Sequence, residues 1–336
     1  MNILVTGGAG FVGSNLVQYL LNKYPQYRIV NLDKLTYAGN LANLEAAFEN
    51  PNHSFVKGDI CDRLLVQHLL RDHACDAVIH CAAESHVDRS IEGSEEFIST
   101  NVLGTQVLLE CARESGISKF LQVSTDEVYG SLESGRRSTE ETPLRPSNPY
   151  AASKAAGDLL ALAFYRTYGL PVVVTRCTNN YGQFQFPEKL IPLVILNALH
   201  DKPIPVYGDG ENIRDWIHVY DHCAALDAVL HTGENGSIYA IGANAERRNI
   251  DIVRMILSQL GKPQSLVTFV KDRPGHDRRY ATDAEKIRKQ LGWSPTAAFD
   301  AGLKETVNWY RDHPQWWRSI LSGEYKEYYE RMYGNR

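Results

Sequence analysis

Eight residues near the start, Thr6-Gly7-Gly8-Ala9-Gly10-Phe11-Val12-Gly13, restrict the fold more than any other stretch. They follow an apolar run at 2–6 and open a segment in which Val12, Leu16 and Leu20 repeat at helical spacing. In a strand–turn–helix context, Gly7, Gly10 and Gly13 permit a tight turn, close approach of a pyrophosphate and close packing of helix on strand. The helix N-terminus then offers free N–H groups and a partial positive charge to phosphates. Asp33 stands 20 residues beyond Gly13, at the end of the second β-rich run. A carboxylate there accepts both ribose hydroxyls and repels a 2′-phosphate, so NAD is expected rather than NADP. Lys34 is the dissonant neighbour, a cation that tolerates that phosphate. The bland alternative is a glycine turn that binds no nucleotide.

The same rhythm continues. Val/Ile/Leu-rich runs at 28–33, 54–58, 77–82, 119–124 and 171–177 read as strands, and helical periods lie between them, as with Ile98, Val102, Thr105 and Leu109. Near-continuous apolar strands separated by helices predict an α/β fold, a Rossmann-like doubly wound parallel sheet covered on both faces. From about Asn179 the loops lengthen and carry more Pro and Gly, joining helices near 188–200, 220–231, 249–260 and 299–312. This predicts an NAD-binding domain at 1–178 and a smaller α/β substrate domain at 179–336, with segments near 206–245 returning to the first. A strand at 237–241 is expected to rejoin the main sheet. The aromatic C-terminus (Trp316, Trp317, Tyr325, Tyr328, Tyr329, Tyr333) has helical spacing and reads as packing against its own chain or a partner subunit.

Composition excludes other classes. In 336 residues, 43% hydrophobic and 22% charged, the balance is that of a globular protein rather than a disordered or collagen-like one. A net charge of −5 without a long basic stretch gives no support to a nucleic-acid or membrane partner. The start resembles no secretion signal, and no apolar run approaches the roughly 20 residues of a spanning helix. Six scattered cysteines without a CxxC read as reduced thiols in the cytoplasm rather than disulfides or zinc ligands. The sequons at Asn52 and Asn235 then carry no weight.

Further on, the positions that carry chemistry cluster at predicted strand ends. Asp59-Ile60 ends the third strand, where a carboxylate can meet an adenine amino group. Ala82-Ala83-Glu84-Ser85-His86 ends the fourth, at the crevice where such sheets bind ligands. Ser124-Thr125-Asp126-Glu127 ends the fifth with two carboxylates and a hydroxyl, a candidate acid–base set. Tyr150 and Lys154 lie at i, i+4 on one helix face, and Asn148 and Pro149 mark that helix's start. Bringing a phenol from pKa ~10 to ~7 takes about 4 kcal/mol, which a nearby ammonium and a nicotinamide charge can supply.

The stretches TGGAGFVG, AAESHVDRS, STDEVYG, YAASK, TNNYGQFQFPEKLIP, GENIRDWIHVYDH and DRPGHDRRYA together resemble the extended short-chain dehydrogenase/reductases. More narrowly they are similar to the dTDP-glucose 4,6-dehydratase family, and the resemblance runs through nearly the whole chain. It implies three steps on dTDP-glucose. Tyr150, with Thr125 orienting the oxygen, takes the C4 hydroxyl proton as hydride passes to NAD. Glu127 removes the C5 proton while Asp126 protonates the departing C6 hydroxyl. Hydride then returns to C6, Glu127 reprotonates C5, and a 4-keto-6-deoxy sugar nucleotide results. Asp126 must therefore be protonated near neutral pH.

The resemblance also implies a cofactor surround of Phe11, Val12, Lys34, Leu35, Thr36, Ile60, Ala82, Ala83, Glu84, Ser85, Thr100 and Asn180, beside Tyr150 and Lys154. For the substrate it implies His86, Thr125 and Asn179 at the sugar and diphosphate, and Lys189, Leu190, Pro205, Val206 and Tyr207 around the base. Arg214, Asn249 and the loop Asp272-Arg273-Pro274-Gly275-His276 would hold ribose and diphosphate, a role to which the guanidinium fork is suited. A homodimer through helices near 95–115 and 150–168 is implied as well. No metal is expected, since His218 and His222 form an HxxxH pair without the Glu or further ligand of a zinc site. Two other readings stand beside the dehydratase. A UDP-sugar 4-epimerase or decarboxylase is disfavoured by Asp126 and Glu127. A non-catalytic dinucleotide-binding regulator is disfavoured by Thr125, Tyr150 and Lys154, which binding alone does not need.

Overall fold

The computed structural model describes residues 1–321. Their strands are β1 (Asn2–Thr6), β2 (Arg28–Asp33), β3 (His53–Lys57), β4 (Ala77–His80), β5 (Lys119–Thr125), β6 (Val172–Cys177), β7 (Asn179–Tyr181), β8 (Ile204–Tyr207), β9 (Ile213–His218), β10 (Ile238–Ile241), β11 (Glu246–Arg248) and β12 (Val267–Val270). Seven form one sheet in the order β10-β6-β5-β4-β1-β2-β3, every neighbouring pair parallel. This is the expected doubly wound class. The order reverses between β1 and β4, so the crevice at their carboxyl ends is the topological switch point.

Side chains alternate across β1. Ile3 and Val5 join Leu16, Leu20, Ile79 and Leu226 on one face, while Leu4 joins Val30, Val78, Leu108 and Phe120 on the other. Two covered faces are why these strands read as unbroken apolar runs. His80 is the polar exception inside β4. Its Nδ1 lies 2.8 Å from Thr6 Oγ1 and its Nε2 3.0 Å from Thr105 Oγ1, and burial pushes its pKa down to about 3. A neutral ring thus links β1, β4 and the helix Thr105–Ser115.

The expected strand at 237–241 is β10, which lies beside β6 in the sheet. The helix before it, Val219–Thr232, packs on the helix Phe11–Lys23 against the first face. Elsewhere in the second half are strands that the hydrophobic pattern did not announce. Parallel β7 and β9 with antiparallel β11 make a small sheet, and β8 pairs with β12. They share a third core built on Ile191, Val194, Trp216, Ile250, Leu303 and Tyr310. Trp316 and Trp317 are buried there too. Trp316 Nε1 donates to Asn43 Oδ1 (2.7 Å), and Asn43 Nδ2 donates to the Ala9 carbonyl (2.8 Å), tying the helix Pro314–Ile320 to the glycine turn. Tyr325, Tyr328, Tyr329 and Tyr333 lie outside the described residues. No described helix is long and apolar enough to cross a membrane.

Two helices set the site's geometry. The periodic run at 98–109 is helical but not uniform, since Ser99–Gly104 winds as a π-helical turn between Glu95–Ile98 and Thr105–Ser115. Asn101 in that turn accepts from the Glu84 N–H and donates to the Glu84 carbonyl, each at 3.0 Å, fixing the chain after β4. The helix Pro149–Tyr168 begins with Asn148, whose Oδ1 accepts from Ala151 N at 2.9 Å, and is stopped by Gly169 in the left-handed region. Its Asp158 pairs with Arg176 of β6 (2.9 Å), both fully enclosed, which anchors the helix to the sheet. Asn148→Ala should lower stability by about 1 kcal/mol, the usual loss for an N-cap, read from urea unfolding. An unchanged midpoint would mean that Pro149 and packing set the helix start unaided.

Candidate active site

One cleft runs across the carboxyl ends of the sheet strands and on under the smaller half. At its β1 end, Gly7 has φ +71°, and a Cβ added there would lie 2.6 Å from the Ala82 backbone. A Cβ on Gly13 would lie 2.2 Å from the Gly7 carbonyl oxygen. Only glycine lets turn, helix and β4 come this close. The helix Phe11–Lys23 has neither a side-chain cap nor an acid in its first turn, so its leading N–H groups remain for an anion. Gly7, Gly10, Phe11, Val12 and Gly13 all line the cleft. This cradle fits a pyrophosphate.

Asp33 lines the cleft at the end of β2, accepting from Ala9 N (2.9 Å) through Oδ2 and from Leu35 N (2.8 Å) through Oδ1. Leu35 itself, at φ 57°, turns the chain and is not at the cleft surface. Lys34 is engaged by Asp59 at 2.9 Å, so the cation that Asp33's neighbour carries is already matched. Thr36, Asp59, Ile60, Ala82, Ala83, Glu84, Ser85 and Thr100 continue the lining. The residues fit a dinucleotide with a free 2′-hydroxyl.

At the end of β5, Thr125 and Glu127 face the cleft together with Tyr150 and Lys154 from the facing helix. The Thr125 hydroxyl accepts from Glu127 N at 3.2 Å, which sets the turn. Asp126 is 3% exposed and lies behind this lining, with Oδ1 3.5 Å from Thr125 Oγ1. Burial pushes its carboxyl up to about 8, Glu127 and Asp215 push the same way, and Arg214 and Thr178 oppose them. Two adjacent carboxylates thus have different environments, the arrangement that separates an acid from a base. Tyr280 Oη reaches Glu127 Oε2 at 3.5 Å and Asp277 Oδ2 at 2.5 Å.

Tyr150 departs from the expectation of a lowered phenol. Burial pushes it well above its usual value, Glu127 adds to this, and the Thr125 hydroxyl opposes. The Lys154 ammonium is spent on the Val123 carbonyl at 2.8 Å, and burial lowers its own pKa. Helical adjacency brought the pair to one face, but desolvation outweighs it.

The positions expected at the substrate fall into two sets. His86, Asn179, Lys189, Leu190, Pro205, Val206, Tyr207, Arg214, Asn249, Arg273 and His276 line the cleft, as does Asn180, which is expected at the cofactor. Asp272, Pro274 and Gly275 instead shape the loop that carries Arg273 and His276: Asp272 Oδ1 lies 2.6 Å from His276 Nδ1, and a Cβ on Gly275 would lie 2.7 Å from the Ser147 carbonyl oxygen. Arg214 stacks over the Tyr280 ring at 4.2 Å and donates to the Asp277 carbonyl at 2.9 Å. Lys189 Nζ donates to the Ser85 carbonyl at 2.8 Å, joining the halves across the cleft. Burial, then Lys189 and two arginines, holds His86 well below its usual pKa, hence neutral. Asn179 Oδ1, Asn249 Oδ1, Trp216 Nε1 and Arg273 Nε are buried at this cleft without a protein partner among the described residues. Such orphans mark where a polar ligand completes the site.

Sequence reasoning missed Asp88, Glu188 and Trp216. Buried Asp88 accepts from Tyr207 Oη (2.9 Å) and Arg273 Nη1 (3.2 Å), bringing positions 119 and 185 residues away to one carboxylate. Glu188 pairs with Arg89 at 3.2 Å. Asp88 and Arg89 sit inside AAESHVDRS and Glu188 inside FPEKLIP, so the signal was the company of charged residues next to His86 and Lys189. His218 and His222 do not converge: His218 Nδ1 accepts from Tyr220 N at the helix start, and His222 turns to Asn180.

The family model for GDP-mannose 4,6 dehydratase matches residues 4–306. A dTDP-glucose 4,6-dehydratase of Xanthomonas campestris pv. campestris (strain B100) is 52% identical, covering 96% of this chain and 97% of its own. A solved dTDP-glucose 4,6-dehydratase of Streptomyces venezuelae, with NAD and TYD bound, superposes with a TM-score of 0.93 at 51% identity, covering 95% and 100%. The UDP-glucose 4-epimerase of Thermus thermophilus, solved with NAD, reaches a TM-score of 0.87 at 31% identity, covering 93% and 100%.

Proposed function

The chain belongs to the GDP-mannose 4,6-dehydratase family of extended short-chain dehydrogenase/reductases, alongside the dTDP-glucose 4,6-dehydratases, and on that premise we propose the reaction it performs. It is a hydro-lyase that converts dTDP-glucose to dTDP-4-keto-6-deoxyglucose in deoxysugar biosynthesis, with NAD as cofactor. NAD, when bound, accepts the hydride from C4, returns it to C6 and adds positive charge beside the phenol. Gly7, Gly10 and Gly13 hold its pyrophosphate and Asp33 its ribose hydroxyls. Residues 1–178 bind NAD together with the later chain that returns to them, expected over 206–245 but limited to the helix Val219–Thr232 and β10 because β8 and β9 pair in the smaller sheets, and 179–336 mainly hold the sugar nucleotide.

The chain's own residues move the protons. Tyr150 takes the proton of the C4 hydroxyl, and Thr125 fixes that oxygen. The ketone so formed acidifies C5–H, whose proton passes to Glu127. Asp126 gives its proton to the C6 hydroxyl, which leaves as water, and Glu127 then returns a proton to C5. Loss of one water balances the reaction, with no net oxidation. Arg214 and Arg273 hold the diphosphate. One observation carries this reading over an epimerase on the same scaffold: Asp126, its carboxyl raised to about 8, is an acid at neutral pH beside a second carboxylate. Epimerisation at C4 needs no such acid.

Incubated separately with dTDP-glucose and UDP-glucose, the protein should yield a product one water lighter from the first, read by mass spectrometry, with no net NADH formed. A 4-epimer of unchanged mass, or stoichiometric NADH, would defeat the assignment. The functional unit is a homodimer through the helices near 95–115 and 150–168. The support is the run of exposed apolar side chains Ile98, Leu103, Leu159 and Tyr168 on and beside them. Six unpaired cysteines accord with a reducing cytoplasm as its setting.

A further inference from the structure

His222 is 2% exposed, yet its ring lines the cleft. Its Nδ1 lies 2.9 Å from Asn180 Oδ1. The Asn180 amide is held from its other end, since Nδ2 donates to the Thr178 carbonyl at 3.0 Å and faces Cys177 Sγ at 3.3 Å. That fixes the oxygen towards His222, so Nδ1 must carry the proton and donate. Burial pushes the ring's pKa down to about 3, which keeps it neutral. Nε2 therefore bears a lone pair, and among the described residues nothing donates to it. An enclosed acceptor at the wall of a ligand cleft calls for a donor from the ligand.

Position says which donor. Asn180 follows β6, and Cys177 at the end of β6 stands level with Thr125 of β5. Asp33, which takes the adenosine ribose, lies at the end of β2 on the other side of β1. A dinucleotide laid over the switch point with its adenosine at β2 carries its nicotinamide to the β4–β5–β6 side. The ring's own N–H donor is the carboxamide NH2. We propose that His222 Nε2 accepts a hydrogen bond from the nicotinamide carboxamide of NAD, with Asn180 fixing the tautomer. His222 is then a cofactor-positioning residue that sets the rotation of the nicotinamide ring. This rests on the NAD-dependent reading above and extends it to a residue outside the glycine turn and the Tyr150–Lys154 pair.

The test is binding rather than turnover. Displacement of bound NADH, followed by its fluorescence, compares NAD with 3-acetylpyridine adenine dinucleotide, in which a methyl group replaces the carboxamide NH2. Wild-type protein should prefer NAD by about five- to tenfold, the range of one hydrogen bond. His222→Asn places an amide on the Nδ1 side only and should abolish the preference by weakening NAD alone. His222→Gln places its amide near the Nε2 position and should keep most of the preference. Equal weakening of both dinucleotides in both variants would show a ring that merely supports Asn180, and would overturn the proposal. So would a wild-type protein that binds NAD and the analogue equally. Wild-type protein that bound neither dinucleotide would overturn the NAD reading itself.

Discussion

Asp126→Asn should lower formation of the 4-keto-6-deoxy product by roughly two to four orders of magnitude, the range for a general acid or base. The amide keeps the size of the carboxyl and cannot give a carboxylic proton. Glu127→Gln should fall by a similar factor because it cannot take the C5 proton. On the proposed mechanism neither residue takes part in oxidising C4, so either variant mixed with substrate should build up enzyme-bound NADH, seen by its near-ultraviolet absorbance. Exchange of solvent deuterium into C5 should disappear chiefly in Glu127→Gln. The wild-type pH profile follows from the raised carboxyl: an acid near 8 is fully available below that pH and lost above it, so elimination should decline above about pH 8. Burial is the first cause of that shift and the Glu127 charge the next. Removing the charge in Glu127→Gln lowers the Asp126 pKa, so the residual rate should decline from a lower pH. Wild-type turnover by both variants would make the pair ordinary carboxylates and end the dehydratase assignment.

Tyr150→Phe should slow C4 oxidation by at least ~100-fold with little change in substrate affinity. The contrast with the carboxylate variants lies in what accumulates: no NADH appears, because the first step is the one lost. Because burial holds the phenol high, the oxidation step measured in a single turnover should rise with pH in the wild type. That rise should be absent in the variant. A near-normal rate in Tyr150→Phe would mean that another group serves C4.

What the sequence made legible was local. The glycine turn, the strands at 2–6 and 28–33 and the capped helix at Asn148 depend on neighbours a few residues apart, and periodicity or cap chemistry exposes them. The short strands β7, β8, β11 and β12 were not legible, because three or four residues leave no period to count, and the six residues of β9 mix charged and apolar side chains without a clean alternation. Nor was the Asp88–Tyr207–Arg273 junction, whose members meet only after the smaller half folds over the sheet. The run at 98–109 read as a plain helix, yet it contains a π-helical turn that aims Asn101 at the Glu84 backbone. Spacing likewise put Lys154 beside Tyr150 but could not report that burial would raise the phenol, since desolvation is a property of the packed site.

The placement of β10 bears on how this protein can be cut and rebuilt. A fragment ending at residue 178 would retain the glycine turn, the Asp126–Glu127 pair and the Tyr150 helix, and on paper resembles a self-sufficient cofactor module. It would lack both β10 and the helix Val219–Thr232, leaving the wholly buried strand Val172–Cys177 as an open edge and baring apolar residues on the helix Phe11–Lys23. Such an edge templates pairing with other chains, so the fragment should aggregate rather than fold. Exchanging the smaller half to install a new sugar specificity therefore calls for grafting between the returns, at 179–218 and after 242, and not for a single splice.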